Sequence, residues 1–153
     1  MNVQTKGRGG ERPGIESTTA DGPAQMYRRA IWDNPKPIIA QVHSFTLAGG
    51  GQLACHCDIT IAADDSLFGY PPARYASVAS YMIWPELVGM KKAKQLAFTG
   101  NMINAEEALR IGLVSEVVPA GDLYEQVGNL ANTISKLPPA SSRLNTRAIN
   151  HYY

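Results

Sequence analysis

The chain has 153 residues, with 14 Lys and Arg against 13 Asp and Glu and a formal net charge of +1, so no global field draws it toward nucleic acid or an anionic membrane. Its hydrophobic content of 44% is that of a globular protein, and the length fits one domain with a substantial core. No apolar run approaches the ~20 residues of a membrane span, and the start lacks the apolar stretch of a signal peptide.

Residues 1–23 are rich in Gly, Arg, Glu, Ser and Thr without an apolar period and read as a flexible loop, with Lys6, Arg8 and Arg12 as solvated charge. A helix is predicted over Pro23–Asp33, with Tyr27 and Ile31 on one face, stopped by Asn34-Pro35-Lys36-Pro37. The apolar run 38–43 then predicts a buried strand. A glycine-rich corner, Leu47-Ala48-Gly49-Gly50-Gly51-Gln52, follows, and a short helix is expected over Leu53–Cys57. Alternation predicts a strand over 58–63, and Leu67-Phe68-Gly69 reads as another. Tyr70-Pro71-Pro72 must be a turn or extended.

Lys91–Thr99 is expected to be a helix closed by Gly100. Asn104 should cap the next, with Glu107 as reciprocal partner and Gly112 as its stop. A strand is predicted over Leu113–Val118. Leu123, Val127, Leu130, Ile134 and Leu137 then repeat at four-three-four-three spacing, the clearest amphipathic helix in the chain. Pro138-Pro139 breaks it, and Ser141–Asn150 forms a last helix. This order of strands and helices argues for an α/β fold with helices appended at the C-terminus.

Three glycines where a strand hands over to a helix leave backbone N–H groups bare, a corner able to hold an oxygen carrying negative charge. The same glycines also allow tight packing of strand on helix. Other candidates read as structural. Asp64 and Asp65 belong to a turn. Glu106 and Glu107 satisfy a helix start. Cys55 and Cys57 are too close in one helix to bridge, and with His56 they point apart, so they read as small packed residues in a reducing, cytoplasmic setting rather than metal ligands. His43 ends a strand beside the glycine corner. Tyr70 and Arg74 are candidates to polarise a ligand, against a reading in which Tyr70 packs and Arg74 is solvated.

Taken in order, Lys36-Pro37-Ile38-Ile39-Ala40, the Ala48-Gly49-Gly50-Gly51 corner, Cys57-Asp58-Ile59, Ile61-Ala62-Ala63-Asp64, Phe68-Gly69-Tyr70-Pro71 and the segment from Thr99-Gly100 to Val118-Pro119 resemble the crotonase superfamily, the enoyl-CoA hydratase/isomerase family. The resemblance runs from about Ala24 to Asn150. It implies a ββα spiral, represented by its C-terminal portion and followed by C-terminal helices. The division is then a flexible loop region at 1–23, a partial crotonase-like core at 24–120 and a C-terminal helical segment at 121–153. It further implies an acyl-CoA thioester as substrate with no other cofactor, no nucleic-acid or membrane partner, and assembly as a homotrimer or hexamer.

In that family two backbone N–H groups grip the thioester oxygen as it becomes an enolate. One maps to Gly49, with Gly50 supporting the corner. The other lies in an earlier loop, and Met1 falls about where that loop ends, so the chain reads as an N-terminally truncated member. The two glutamates that hold a water in the family's hydratases map to Gln52 and Pro72. An amide cannot take a proton near neutral pH and proline offers nothing, which removes the usual acid–base pair. The family's Gly-x-x-Pro-Gly turn is replaced by Ala76-Ser77-Val78-Ala79-Ser80. The expected function is therefore binding of an acyl-CoA thioester and stabilisation of its enolate. Gln52 would contact the occupant of the water position and Tyr70 would lie beside the substrate. The alternative is a non-catalytic remnant or an oligomer-forming subunit.

Overall fold

A computed structural model describes residues 23–75 and 83–151, with 23–27 as backbone only. The expectations for the loop at 1–22, for the side chain of Tyr27 and for Ala76–Ser80 lie outside the described residues. Helix α1 (Pro23–Trp32) leads into strand β1 (Ile39–Val42), strand β2 (Phe45–Leu47) and helix α2 (Ala48–His56). Strands β3 (Ile59–Ala63) and β4 (Leu67–Gly69) follow, then a 3-10 turn (Pro71–Tyr75) and helices α3 (Trp84–Val88) and α4 (Met90–Thr99). Strand β5 (Met102–Asn104), helix α5 (Ala105–Arg110), strand β6 (Glu116–Val118) and helices α6 (Leu123–Ser135) and α7 (Pro139–Asn150) are the last elements among the described residues.

Among the described residues the strands form two three-stranded sheets; β1 to β4 alternate between them, β5 stays in the second, and β6 returns to the first. One sheet has the order β1-β3-β6 and is parallel throughout, with Ile39 opposite Ile59 and Ile61 opposite Glu116. The other has the order β2-β4-β5, with β2 parallel to β4 and β4 antiparallel to β5. The units β1-β2-α2 and β3-β4-α3 are each one turn of a ββα spiral, as the resemblance implied. The run predicted as one strand over 38–43 is in fact β1 followed by a switch to the second sheet at Ser44. There the backbone takes a left-handed φ of 52°. Asp65 supports that corner: its carboxylate accepts from the Ser44 N–H at 3.2 Å and from the Ser44 hydroxyl at 3.3 Å. Asp64 accepts from the Ala120 N–H at 3.1 Å. Both aspartates therefore serve turns, as expected.

Two cores hold these layers. Phe68, Tyr70, Trp84, Leu96, Leu113 and Val114 pack in one, between the second sheet and α3 to α5. Ile61, Ala63 and Leu123 form the other, flanked by Ile39, Ile59, Val127 and Leu130, so the leading turns of α6 lie on the parallel sheet as their spacing predicted. Leu137 runs past that core and is exposed.

Gly100 (φ 60°) and Gly112 (φ 80°) both take the left-handed conformation that ends a helix. The strand predicted over Leu113–Val118 shortens to β6, because Leu113 and Val114 turn inward and the Leu113 N–H bonds back to the Ala108 carbonyl at 2.8 Å. The cap of α5 is half of what was expected. The Asn104 side chain accepts from the Glu107 N–H at 2.9 Å, but the Glu107 carboxylate pairs with Arg110 at 2.6 Å and Lys92 at 2.7 Å. Those hydrogen bonds, from Arg110 first and Lys92 second, hold the carboxyl down to about 2. Among the described residues no helix is long and apolar enough to cross a membrane.

Candidate active site

Helix α2 begins five residues earlier than expected. Leu47, still extended at φ −111° and ψ 158°, is the residue before the first turn, and Gly49, Gly50 and Gly51 lie inside that turn rather than in a loop before it. Glycine lowers helix propensity by only about 1 kcal/mol, and packing of α2 on β2 outweighs that here. The strand therefore feeds the helix directly, through Ala48 at a left-handed φ of 48°. The first N–H groups of a helix have no partner within it, and Leu47 supplies no side-chain acceptor for them.

The three glycines have different reasons to be glycine. At Gly51, which is buried, a Cβ would stand 2.8 Å from the carbonyl oxygen of Thr46, so packing of α2 on β2 forbids any side chain. At Gly49 and Gly50 a Cβ would meet no atom within 4 Å among the described residues, and neither has a positive φ. Among the described residues their bareness serves neither packing nor backbone conformation. Both are exposed in the first turn of α2.

These glycines border a cleft of about 650 Å³ between α2 and α1, where Gly49, Gly50, Gln52 and Leu53 face Arg28, Ala30, Ile31 and Asn34. A volume of this order fits a small-molecule group. Arg28 is only 7% exposed, and its Nη1 donates to Oε1 of Gln52 at 3.1 Å. Sequence reading missed Arg28. It stands 24 residues before Gln52 beside a second arginine, and no local pattern separates the two.

One turn beyond Gln52, Nδ1 of His56 bonds the Gln52 carbonyl at 2.7 Å, and the imidazole meets the edge of Trp32 with ring centroids 6.3 Å apart. Burial pushes the His56 pKa down; the bond to the carbonyl opposes this and the Arg28 charge adds to it. The unfolded chain therefore takes up the proton first. Stability should fall as pH drops below the ordinary value of 6.5, until the depressed native value is passed. Urea midpoints measured between pH 8 and pH 5 should decline more steeply for the parent chain than for His56→Gln.

The remaining candidates are not brought to the cleft. Tyr70 is buried in the core beside Phe68 and Trp84, and Pro72 is half-buried in the 3-10 turn that follows. Arg74 secures that turn: its Nη2 donates to Asn101 Oδ1 at 2.9 Å and its Nε to the Thr99 carbonyl at 3.4 Å. His43 is exposed just after β1 and does not line the cleft. Cys55 is buried, its thiol pushed up to about 12 by burial, and burial also raises Cys57, so neither is a ready nucleophile at neutral pH. No cluster of metal-ligating side chains occurs among the described residues.

The sequence pattern of the enoyl-CoA hydratase/isomerase family matches residues 4–153. The chain is 42% identical over 118 residues to a short-chain-enoyl-CoA hydratase of Clostridium acetobutylicum, covering 75% of this chain and 45% of that protein. It is 41% identical over 129 residues to a crotonyl-CoA hydratase of Syntrophomonas wolfei, covering 82% and 50% respectively. Among solved structures, a probable enoyl-CoA hydratase from Mycobacterium smegmatis superposes with a TM-score of 0.81 at 36% identity, covering 84% of this chain and 54% of that one. The chain thus spans about half the length of these relatives.

Proposed function

This chain belongs to the enoyl-CoA hydratase/isomerase family, and from that premise we propose that it binds an acyl-CoA thioester and stabilises the thioester's enolate at the start of α2. The observation that carries this reading is the open space over Gly49 and Gly50. The Gly49 N–H is the proposed oxyanion donor, and Gly50 keeps the approach clear. A backbone N–H fixed at a helix start needs no reorganisation as charge builds on the carbonyl oxygen, and it acts along the helix dipole.

The nominal reaction is hydration or isomerisation of an enoyl-CoA, with no cofactor beyond the CoA ester. Gln52, lining the same cleft, contacts the group at the water position. It cannot serve as a base, and Pro72 supplies no second carboxyl, so hydration here lacks the ~10²–10⁴-fold contribution of general acid–base catalysis at those positions. Tyr70 lies in the core against which Ala48 packs. The thiols of Cys55 and Cys57 fit a cytoplasmic setting.

Equilibrium binding of crotonyl-CoA against free CoA tests the proposal. The thioester should bind more tightly, because only it carries a thioester carbonyl for Gly49; equal affinity contradicts it. A second reading, an oligomer-forming subunit without turnover, is favoured by Phe45 on β2 and Phe98 on α4, which are 71% and 81% exposed. Apolar side chains of that size standing in water favour a covering partner. Sedimentation of the purified chain as a trimer or hexamer, with no turnover of any thioester, would support it.

A further inference from the structure

We infer that Asn150 is a positioning residue: from the end of α7 it holds the end of α1, and so couples docking of the C-terminal helix to occupancy of the thioester cleft. The inference rests on the acyl-CoA reading above and adds the element that controls that site. Helix α1 is one wall of the cleft, through Arg28, Ala30 and Ile31. The last carbonyls of a helix have no partner within it, and that of Trp32 accepts from Nδ2 of Asn150 at 3.0 Å. The Trp32 ring meets His56 of α2. Trp32 is thus held from both sides, by α2 and by α7.

Helix α7 itself is lightly held. It has no buried residue, and Leu144 and Ile149 are exposed. Cavities of about 470 and 500 Å³ flank it, one lined by Leu87 and Ile149, the other by Asn34 and Arg147. Among the described residues the bond from Asn150 is the one side-chain hydrogen bond that α7 makes to another element, while His151 just beyond it has a partner of its own. A helix that buries so little opens at low free-energy cost. If a ligand needs α1 in place, docking of α7 tightens the ligand, and the ligand tightens docking by the same factor.

Limited trypsin digestion of the full chain, read by mass spectrometry, tests this at Arg143 and Arg147. Both are exposed and without a side-chain partner among the described residues, and Lys91 and Lys94 of α4 serve as internal references. Saturating crotonyl-CoA should slow cleavage at the two arginines by about three- to tenfold, the range for one hydrogen bond, and leave the two lysines unchanged. Asn150→Asp keeps the shape and loses the donor. It should raise the Kd for crotonyl-CoA by the same factor and abolish the protection, and Asn150→Gln, which keeps an amide donor, should recover part of both. A purely structural Asn150 would lower the urea midpoint and leave Kd and protection at parental values. Direct contact of the ligand with α7 would leave the protection intact in Asn150→Asp. Either result overturns the inference while leaving the acyl-CoA reading intact. If crotonyl-CoA binds the parent chain no more tightly than free CoA, the acyl-CoA reading fails and this inference falls with it.

Discussion

Gly49→Pro is expected to lower thioester turnover by about 10²–10³-fold, the loss typical when one oxyanion donor is removed. The substitution removes the amide hydrogen, and its ring also adds bulk beside the ligand and restrains Ala48, which stands at φ 48°. Residue 49 lies in the first turn of α2, where the N–H has no helical acceptor and proline is tolerated. A companion variant separates the donor from its surroundings. In Gly49→Ala the N–H remains, and the added methyl meets no protein atom within 4 Å among the described residues. Alanine should stabilise the helix by up to about 1 kcal/mol, yet crowd the ligand from the side. Steady-state kinetics with a series of CoA thioesters, alongside thermal melts, should show Gly49→Pro losing kcat and Gly49→Ala losing mainly affinity. Undiminished kcat in the proline variant would remove Gly49 from the chemistry.

Two residues along the same turn, the expected result is reversed. Gly51→Ala should destabilise the fold by about 1–3 kcal/mol, the range for overpacking a close-packed interior. Its Cβ would stand 2.8 Å from the Thr46 carbonyl oxygen, and backbone cannot move aside as a flexible side chain can. Denaturant melts of the three alanine variants should rank Gly51→Ala well below the parent, with Gly49→Ala and Gly50→Ala at or above it. Equal melts for all three would mean that α2 does not lie against β2 as described.

This contrast also marks how far the sequence could be read. The ordered motifs identified the family, and the larger helices followed from local signals: Gly100 and Gly112 as stops, Asn104 as a cap, the four-three spacing in α6. Where chain elements met at a distance, local signals failed. Strands β2 and β5, three residues each, went unread because they run straight into the glycine corner and the Asn104 cap, while β4, equally short, was legible. The run Gly49-Gly50-Gly51 read as a loop, because propensity alone disfavours glycine in a helix and the packing of α2 on β2 is invisible in sequence. Glu107 looked like a reciprocal cap until Lys92, fifteen residues upstream, was brought to it. Arg28 carried no signal at all, since its role depends on α1 lying beside α2. Tyr70 was proposed for the substrate side from its place in a family motif, but strand β4 delivers it into the core.

The proposed chemistry comes down to where one carbonyl sits. A crystal structure of the chain with a bound acyl-CoA thioester should place the thioester oxygen about 2.7–3.1 Å from the Gly49 nitrogen, in line with its N–H. A thioester bound with that oxygen turned away from α2, or a Gly49 N–H already bonded within the protein, would contradict the account.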